Sequence, residues 1–275
     1  MTAGDLAGRQ ALLQDASRRA EAYLAGLAGR AVAPPPAAVQ ALDALDFPLP
    51  ASGRPAPEVL ALLDDVGSPG TVASAGPRYF GFVTGGALPV AVAAAWLTAA
   101  WDQNAGLAVM SPTAARLDAV ALRWVAEVLG LPAGTGGGFV TGATMANASC
   151  LAAARDAVLA RCGWDAAGQG LVGAPPVTVV VGAEVHAAVR KALGLVGLGR
   201  DRAVVLPADA QGRIVAAGLP DIAPPAIVCL QAGNVNSGAS DPFVPLSAST
   251  SVTTSPVRWW SMLFVSRHCR ANFCR

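Results

Sequence analysis

The sequence predicts an α/β fold, with a mainly parallel sheet set between helices. Three observations carry this reading. Val177-Thr178-Val179-Val180-Val181 is a continuous β-branched run, the pattern of a strand covered on both faces. Downstream of it, helical and strand patterns alternate: a helix at about Val185–Leu195, a strand at Ala203–Leu206, a turn at Asp209–Gly212 and a strand at Ala226–Leu230. That alternation is the mark of parallel strands joined by crossovers. Upstream, a glycine-rich stretch, Gly134 to Gly142, runs straight into a helical pattern from Thr144 to about Cys162, closed by Gly163.

The remaining elements follow in order. Leu6, Leu13, Ala16, Ala20, Tyr23, Leu24 and Leu27 recur near one face of a helix over the first thirty residues. Pro34-Pro35-Pro36 breaks it, and a proline-punctuated stretch continues to about Pro57. A short helix from Glu58 to Val66 is expected to end at Gly67 and Pro69. Residues 1–75 thus read as a helical arm that packs on something else. The apolar run Leu88–Trp101 falls short of the roughly 20 residues that span a bilayer and predicts a buried helix. Ser111 is a good N-cap with Pro112 at the first helical position, and Gly130 and Pro132 end that helix. Phe139-Val140-Thr141 has a short β-like pattern.

Composition removes several function classes. With 53% apolar and 13% charged residues the chain is globular and not disordered. A net charge of +1, with no Lys/Arg cluster before the extreme C-terminus, offers no nucleic-acid surface. Asp5 and the lack of a basic-then-apolar run predict no signal peptide. The five cysteines form no CxxC pair, and Cys150, Cys162 and Cys229 lie in apolar segments where buried free thiols are expected. No metal site is expected, and a cytoplasmic protein is. Lys191 is the only lysine, against eighteen arginines.

The character changes after Phe243. Residues 244–275 hold no glycine and no acid, and Ser and Thr dominate Leu246 to Ser255. A shifted reading frame or mis-assigned end accounts for a compositional change without a linker; a variable tail is the alternative. On either account the segment is not expected to supply the sheet's next strands.

The strongest chemical signal is Gly134-Thr135-Gly136-Gly137-Gly138-Phe139-Val140-Thr141-Gly142-Ala143-Thr144. Glycines leave backbone N–H groups open, and a helix beginning at once adds its positive dipole end, which together suit a phosphate. A ligand-free glycine turn is the alternative. The stretch lacks the Gly-Lys-Ser/Thr of an ATP-binding loop, and its GxGxxG is broken by Phe139. His186 follows the Val177–Val181 strand, where carboxyl ends of parallel strands place ligand-binding groups. Asn234 and Asp241 follow Ala226–Leu230, in a stretch equally suited to turn-making.

The order of these segments resembles group II pyridoxal-phosphate (PLP) decarboxylases, the family of glutamate and aromatic-amino-acid decarboxylases. Pro77-Arg78-Tyr79-Phe80-Gly81-Phe82 with Gly85-Gly86 is similar to its N-terminal substrate-side segment. Ser111-Pro112 through Trp124 to Leu129-Gly130-Leu131-Pro132 resembles its SP…W…LGLP stretch, with Asp118 where Glu is usual. Thr141 through Asn147 resembles GG(T/S)xAN, with Ala143 for the second glycine. His186 through Gly194 resembles HxSxxKAxxxLG, with Ala188 for the serine, and Gln231 through Pro242 resembles GTTxxGAxDP, with Asn234 for the first threonine.

The resemblance covers residues 75–243. It implies an incomplete large domain of the type I PLP-dependent transferase fold (aspartate aminotransferase-like) over 76–243, with 244–275 outside the family pattern. It implies PLP as cofactor, an amino acid as substrate, decarboxylation as the reaction and a homodimer as the assembly. Ala143 and Thr144 would hold the phosphate, His186 would stack on the pyridine ring, and Asn234 would lie at the cofactor. The family also needs an aspartate on the ring nitrogen and a Schiff-base lysine, both further along. No acid or lysine follows Phe243, and Lys191 matches a helical, non-catalytic position. The expectation is therefore no catalytic residue in this chain and no activity. Another type I PLP chemistry (aldol-type cleavage or transamination), a non-catalytic remnant and a nucleotide-binding domain are the alternatives.

Overall fold

The computed structural model describes residues 3–82, 84, 86–131, 134–218, 222 and 224–243, and the backbone of 262–265. The chain forms two compact units, Met1–Asp102 and Gln103–Arg275.

The first unit is helical. Helix α1 spans Ala3–Gly26, α2 Pro36–Ala41 and α3 Ala56–Leu62. A π-helical turn, Leu63–Gly67, then leads directly into α4, Ser68–Gly70. The expected stop at Gly67 and Pro69 is thus corrected. Pro69 sits in the first turn of α4, where its missing N–H is not needed and its fixed φ suits a helix. Charge, more than apolar packing, ties the helices together. Arg19 on α1 bonds Asp15 and reaches Asp64 at 2.8 Å and Asp65 at 3.1 Å. Arg30 donates to the carbonyls of Ser68, Pro69 and Thr71.

Helix α5, Pro89–Trp101, forms where the apolar run predicts it, but none of its residues is buried. Its burial was expected from composition alone. An Ala-rich helix that is apolar all round needs a covering layer on every side, and the described residues of its unit do not supply one.

In the second unit, α6 spans Pro112–Val128 and begins as its cap predicts: the fully buried Ser111 accepts the Ala114 N–H through Oγ at 3.3 Å. Gly130, at φ +62, ends it in the left-handed conformation that closes many helices. Residues 139–141 form no strand. Phe139 and Val140 are exposed, and among the described residues no strand pairs with them, so their β-propensity has nothing to act on. Helix α7 spans Ala143–Arg161, α8 Ala166–Gln169 and α9 Ala187–Leu195.

Strands β1 (Thr178–Gly182), β2 (Val204–Leu206) and β3 (Ala226–Leu230) pair in parallel with β1 in the centre, and the sheet order is β2-β1-β3-β4. Alternation divides the core. Val179, Val181 and Ile227 face Leu151, Val158, Val189 and Leu193 of α7 and α9. Val180, Val228, Leu206 and Leu230 pack with Ile214 on the opposite face.

Strand β4, Met262–Val265, pairs antiparallel with β3, Ile227 opposite Val265 and Leu230 opposite Met262. This corrects the expectation that the segment after Phe243 supplies no strand. Met-Leu-Phe-Val is itself apolar and β-prone, and β3 is buried throughout, so its far edge needs hydrogen-bond partners. Two cysteines need correcting as well: Cys229 is buried on β3, but Cys150 and Cys162 are exposed on α7 and at its end. Among the described residues no helix is long and apolar enough to cross a membrane.

Candidate functional site

The parallel strands end together, and their carboxyl ends open onto the start of α7. Gly142 caps that helix in an extended conformation with no side chain to offer. The first bond of the helix runs from the Ala146 N–H to the Gly142 carbonyl at 3.0 Å. The N–H groups of Ala143, Thr144 and Met145 therefore precede the intrahelical ladder. No acidic side chain lies in this first turn, and the nineteen-residue helix directs its dipole there.

Beside that terminus lies a small, open cleft bounded by Asn147, Cys150, Glu184, Gly212, Gln231 and Asp241 among others. Glu184 follows β1, and Gln231 follows β3. Asp241 braces the wall. It is only 6% exposed, and its two oxygens accept the N–H groups of Ile214 at 2.8 Å and Gln231 at 2.6 Å. Burial raises its carboxyl above the usual range, and those two bonds oppose the shift. Gly212, at φ +76, passes so close that a Cβ there would lie 2.4 Å from Asn234 Nδ2. Burial pushes the Cys229 thiol up to about 12 and raises Cys150 too, so neither thiol of the cleft is set up as a thiolate nucleophile.

Of the residues singled out from sequence, Asp241 lines this cleft and Ala143, Thr144, His186 and Asn234 do not. Ala143 and Thr144 stand at the open end of α7. His186 is exposed and caps α9, its Nδ1 accepting the Ala188 N–H at 3.2 Å, which leaves the proton of the neutral ring on Nε2. Asn234 is buried and closes its own turn, Oδ1 accepting from Asn236 at 2.8 Å and Ser237 at 3.3 Å. Lys191 is exposed on α9, away from the cleft. Among the described residues no group of three His, Cys, Asp or Glu is placed to hold a metal. Asn147 and Gln231 stand within the motif stretches without a ligand role of their own in the sequence, and Glu184 lies outside them. Asn147 carried a signal, lying three residues after Thr144 and so on the same helix face.

The model of the pyridoxal-dependent decarboxylase conserved domain matches residues 40–234. The chain belongs to the pyridoxal-dependent decarboxylase family. It is 31% identical over 170 residues to an L-2,4-diaminobutyrate decarboxylase of Rhizobium meliloti (strain 1021), covering 58% of this chain and 32% of that one. It is 30% identical over 195 residues to tryptophan decarboxylase 1 of Oryza sativa subsp. japonica, covering 63% and 37%. Among solved structures, an Oryza sativa TDC with PLP and tryptamine superposes with a TM-score of 0.74 at 24% identity, covering 91% of this chain and 53% of that one. Mouse CSAD in apo form gives 0.74 at 22% identity, covering 88% and 52%. These likenesses establish the PLP-dependent type I fold. The chain thus spans about a third of those two curated relatives and half of those solved chains.

The family's cofactor, pyridoxal phosphate, fits part of what is present. The open first turn of α7 suits a dianionic phosphate, and the adjoining cleft brings polar groups to the ends of β1 and β3. No lysine lines that cleft.

Proposed function

We propose that this member of the decarboxylase family is the cofactor-binding part of an amino-acid carboxy-lyase that holds pyridoxal phosphate without turning substrate over. The observation that carries it is the uncapped N-terminus of α7 beside the cleft at the ends of β1 and β3. Ala143 and Thr144 take the phosphate through their N–H groups, and the Thr144 hydroxyl adds a donor. His186, fixed at the start of α9 by its bond to Ala188, offers its ring to the pyridine face. Asn234 supports Gly212, whose close approach shapes the cleft wall. When bound, the cofactor supplies an electron sink for the charge left by loss of CO₂. Residues 76–243 make up the family's large-domain portion, with 1–75 as its arm. Free thiols at Cys150 and Cys229 accord with a cytoplasmic setting.

The expected binding is weak and reversible, because the phosphate contacts act without a covalent anchor. Calorimetric titration with pyridoxal phosphate and with phosphate-free pyridoxal tests it: the phosphate form binds at least about tenfold tighter, a difference of about 1.4 kcal/mol. Equal binding of the two would remove α7 as the phosphate site.

The 275-residue chain is expected to release no CO₂ from L-2,4-diaminobutyrate, L-tryptophan or L-tyrosine above the rate with free pyridoxal phosphate alone. Its one lysine, Lys191, is exposed on α9 and away from the cleft. Lysine-dependent turnover measured on purified protein would overturn this.

A homodimer is the assembly we propose. Phe80 at 93%, Phe82 at 92% and the whole of α5 leave more apolar surface open than a monomer of this size usually tolerates. Light scattering on purified protein checks it, and a stable monodisperse monomer is the contrary result.

A further inference from the structure

The parallel strands end in two different edges. On one side β2 is three residues long, and Val204 and Val205 stay 36% and 47% exposed. So short a strand gives another chain little to pair with. β3, on the other side, is the opposite case. All five of its residues, Ala226-Ile227-Val228-Cys229-Leu230, are apolar and buried, and neither a charge nor a proline interrupts them. Left bare, an edge of this composition is a template for a further strand.

Hydrogen bonding shows which groups of β3 face that edge. The Thr178 N–H donates to the Pro225 carbonyl at 3.0 Å, and Thr178 stands opposite Ala226 in the parallel pair. Backbone groups alternate in direction along a strand, so Pro225, Ile227 and Cys229 turn theirs toward β1. The N–H and carbonyl groups of Val228 and Leu230 then point the other way. There β4 runs antiparallel, with Phe264 opposite Val228 and Met262 opposite Leu230. These are the pairs in which an antiparallel ladder exchanges both of its bonds. The β1 pairing stops at Val228, and β4 carries the ladder on to Leu230. β4 lies beyond residues 40–234, the span that the family model matches.

We infer that β4 is an edge cap, a segment of this chain that occupies the outward groups of Val228 and Leu230 and keeps β3 from pairing with a second copy. Antiparallel addition needs no crossover, so the edge of a parallel sheet can accept it from outside the parallel set. The cap also holds the end of the strand that forms the cleft, since Cys229, Leu230 and Gln231 line it.

Residue-resolved hydrogen exchange and light scattering on the full chain test this, with Phe264→Pro beside Phe264→Leu. Proline removes the N–H that bonds the Val228 carbonyl and fixes φ away from the strand value, whereas leucine keeps both. In the unaltered chain Val228 and Leu230 should exchange as slowly as Ile227, within about tenfold. In Phe264→Pro they should exchange at least about a hundredfold faster while Ile227 and Val180 keep their protection. The scattering mass of that variant should climb with concentration above that of the unaltered chain, and Phe264→Leu should match the unaltered chain in both measurements. Fast exchange of Val228 and Leu230 in the unaltered chain overturns the inference without any variant. Protection that survives Phe264→Pro overturns it too. Equal loss at Ile227 and Val180 would make β4 part of the core and no cap, and local loss without growth in mass would show an edge that needs no shield.

Discussion

In the Ala143→Asp variant, binding of pyridoxal phosphate is expected to fall by about tenfold to a hundredfold, or about 1.4–2.8 kcal/mol. The unaltered terminus offers a helix-end interaction of about 0.3–1 kcal/mol, with hydrogen bonds to a charged acceptor of about 1.5–3 kcal/mol each. A carboxylate in the first turn competes for the same N–H groups and repels the dianion. The fold should not suffer, since an acid in the first turn of a helix is itself favourable. That opposition is diagnostic: affinity falls while the melting temperature holds or rises. Thr144→Ala removes one hydroxyl and is expected to cost less, about 1 kcal/mol. Phosphate affinity that survives Ala143→Asp would exclude the α7 terminus.

Asp241→Ala is expected to destabilise the fold by about 2–6 kcal/mol, through the Ile214 and Gln231 N–H groups left without an acceptor at about 1–3 kcal/mol each. The carboxylate joins the segment that packs Ile214 under the sheet to the residue that follows β3. Its loss loosens the cleft wall along with the core. The pH dependence has a definite sign. Burial raises the Asp241 carboxyl above 3.8, so the folded state favours its protonated form. The contribution of such a group is fully present below the unfolded value and falls as pH rises through the folded one. The cost of Asp241→Ala, measured by urea unfolding, is thus larger at pH 4 than at pH 7. A cost that grew with pH would mean that the two N–H bonds outweigh desolvation.

The cleft also shows why a family pattern is an incomplete guide to a site. His186 and Asn234 stand at motif positions, and each has a local structural duty as well: one caps α9, the other closes a turn. Asn147, inside the same motif as Thr144, lies on the buried face of α7, which is visible only once its neighbours are known. Spacing reveals which face of α7 it shares with Thr144. It does not reveal how deeply that face is buried.

The sequence by itself determined the parallel three-stranded centre, since the β-branched Val177–Val181 run and its flanking helices are local patterns that packing reinforces. It determined the start of α6 at Ser111-Pro112 and its end at Gly130, because caps act through the backbone of a few adjacent residues. It also determined the family, through five segments in order, and the helix after the glycine run, expected from Thr144 and observed from Ala143. Only tertiary structure decided the rest. The β-like Phe139–Thr141 stays unpaired while Met262–Val265 becomes a strand, because a strand exists only against a partner and β3 offers its edge to one of them. The apolar α5 is exposed and Asp241 is buried, because burial depends on which layers surround a residue and not on the residue itself. The cleft likewise gathers Asn147, Glu184, Gly212, Gln231 and Asp241 from four separated stretches, a convergence that no local pattern encodes.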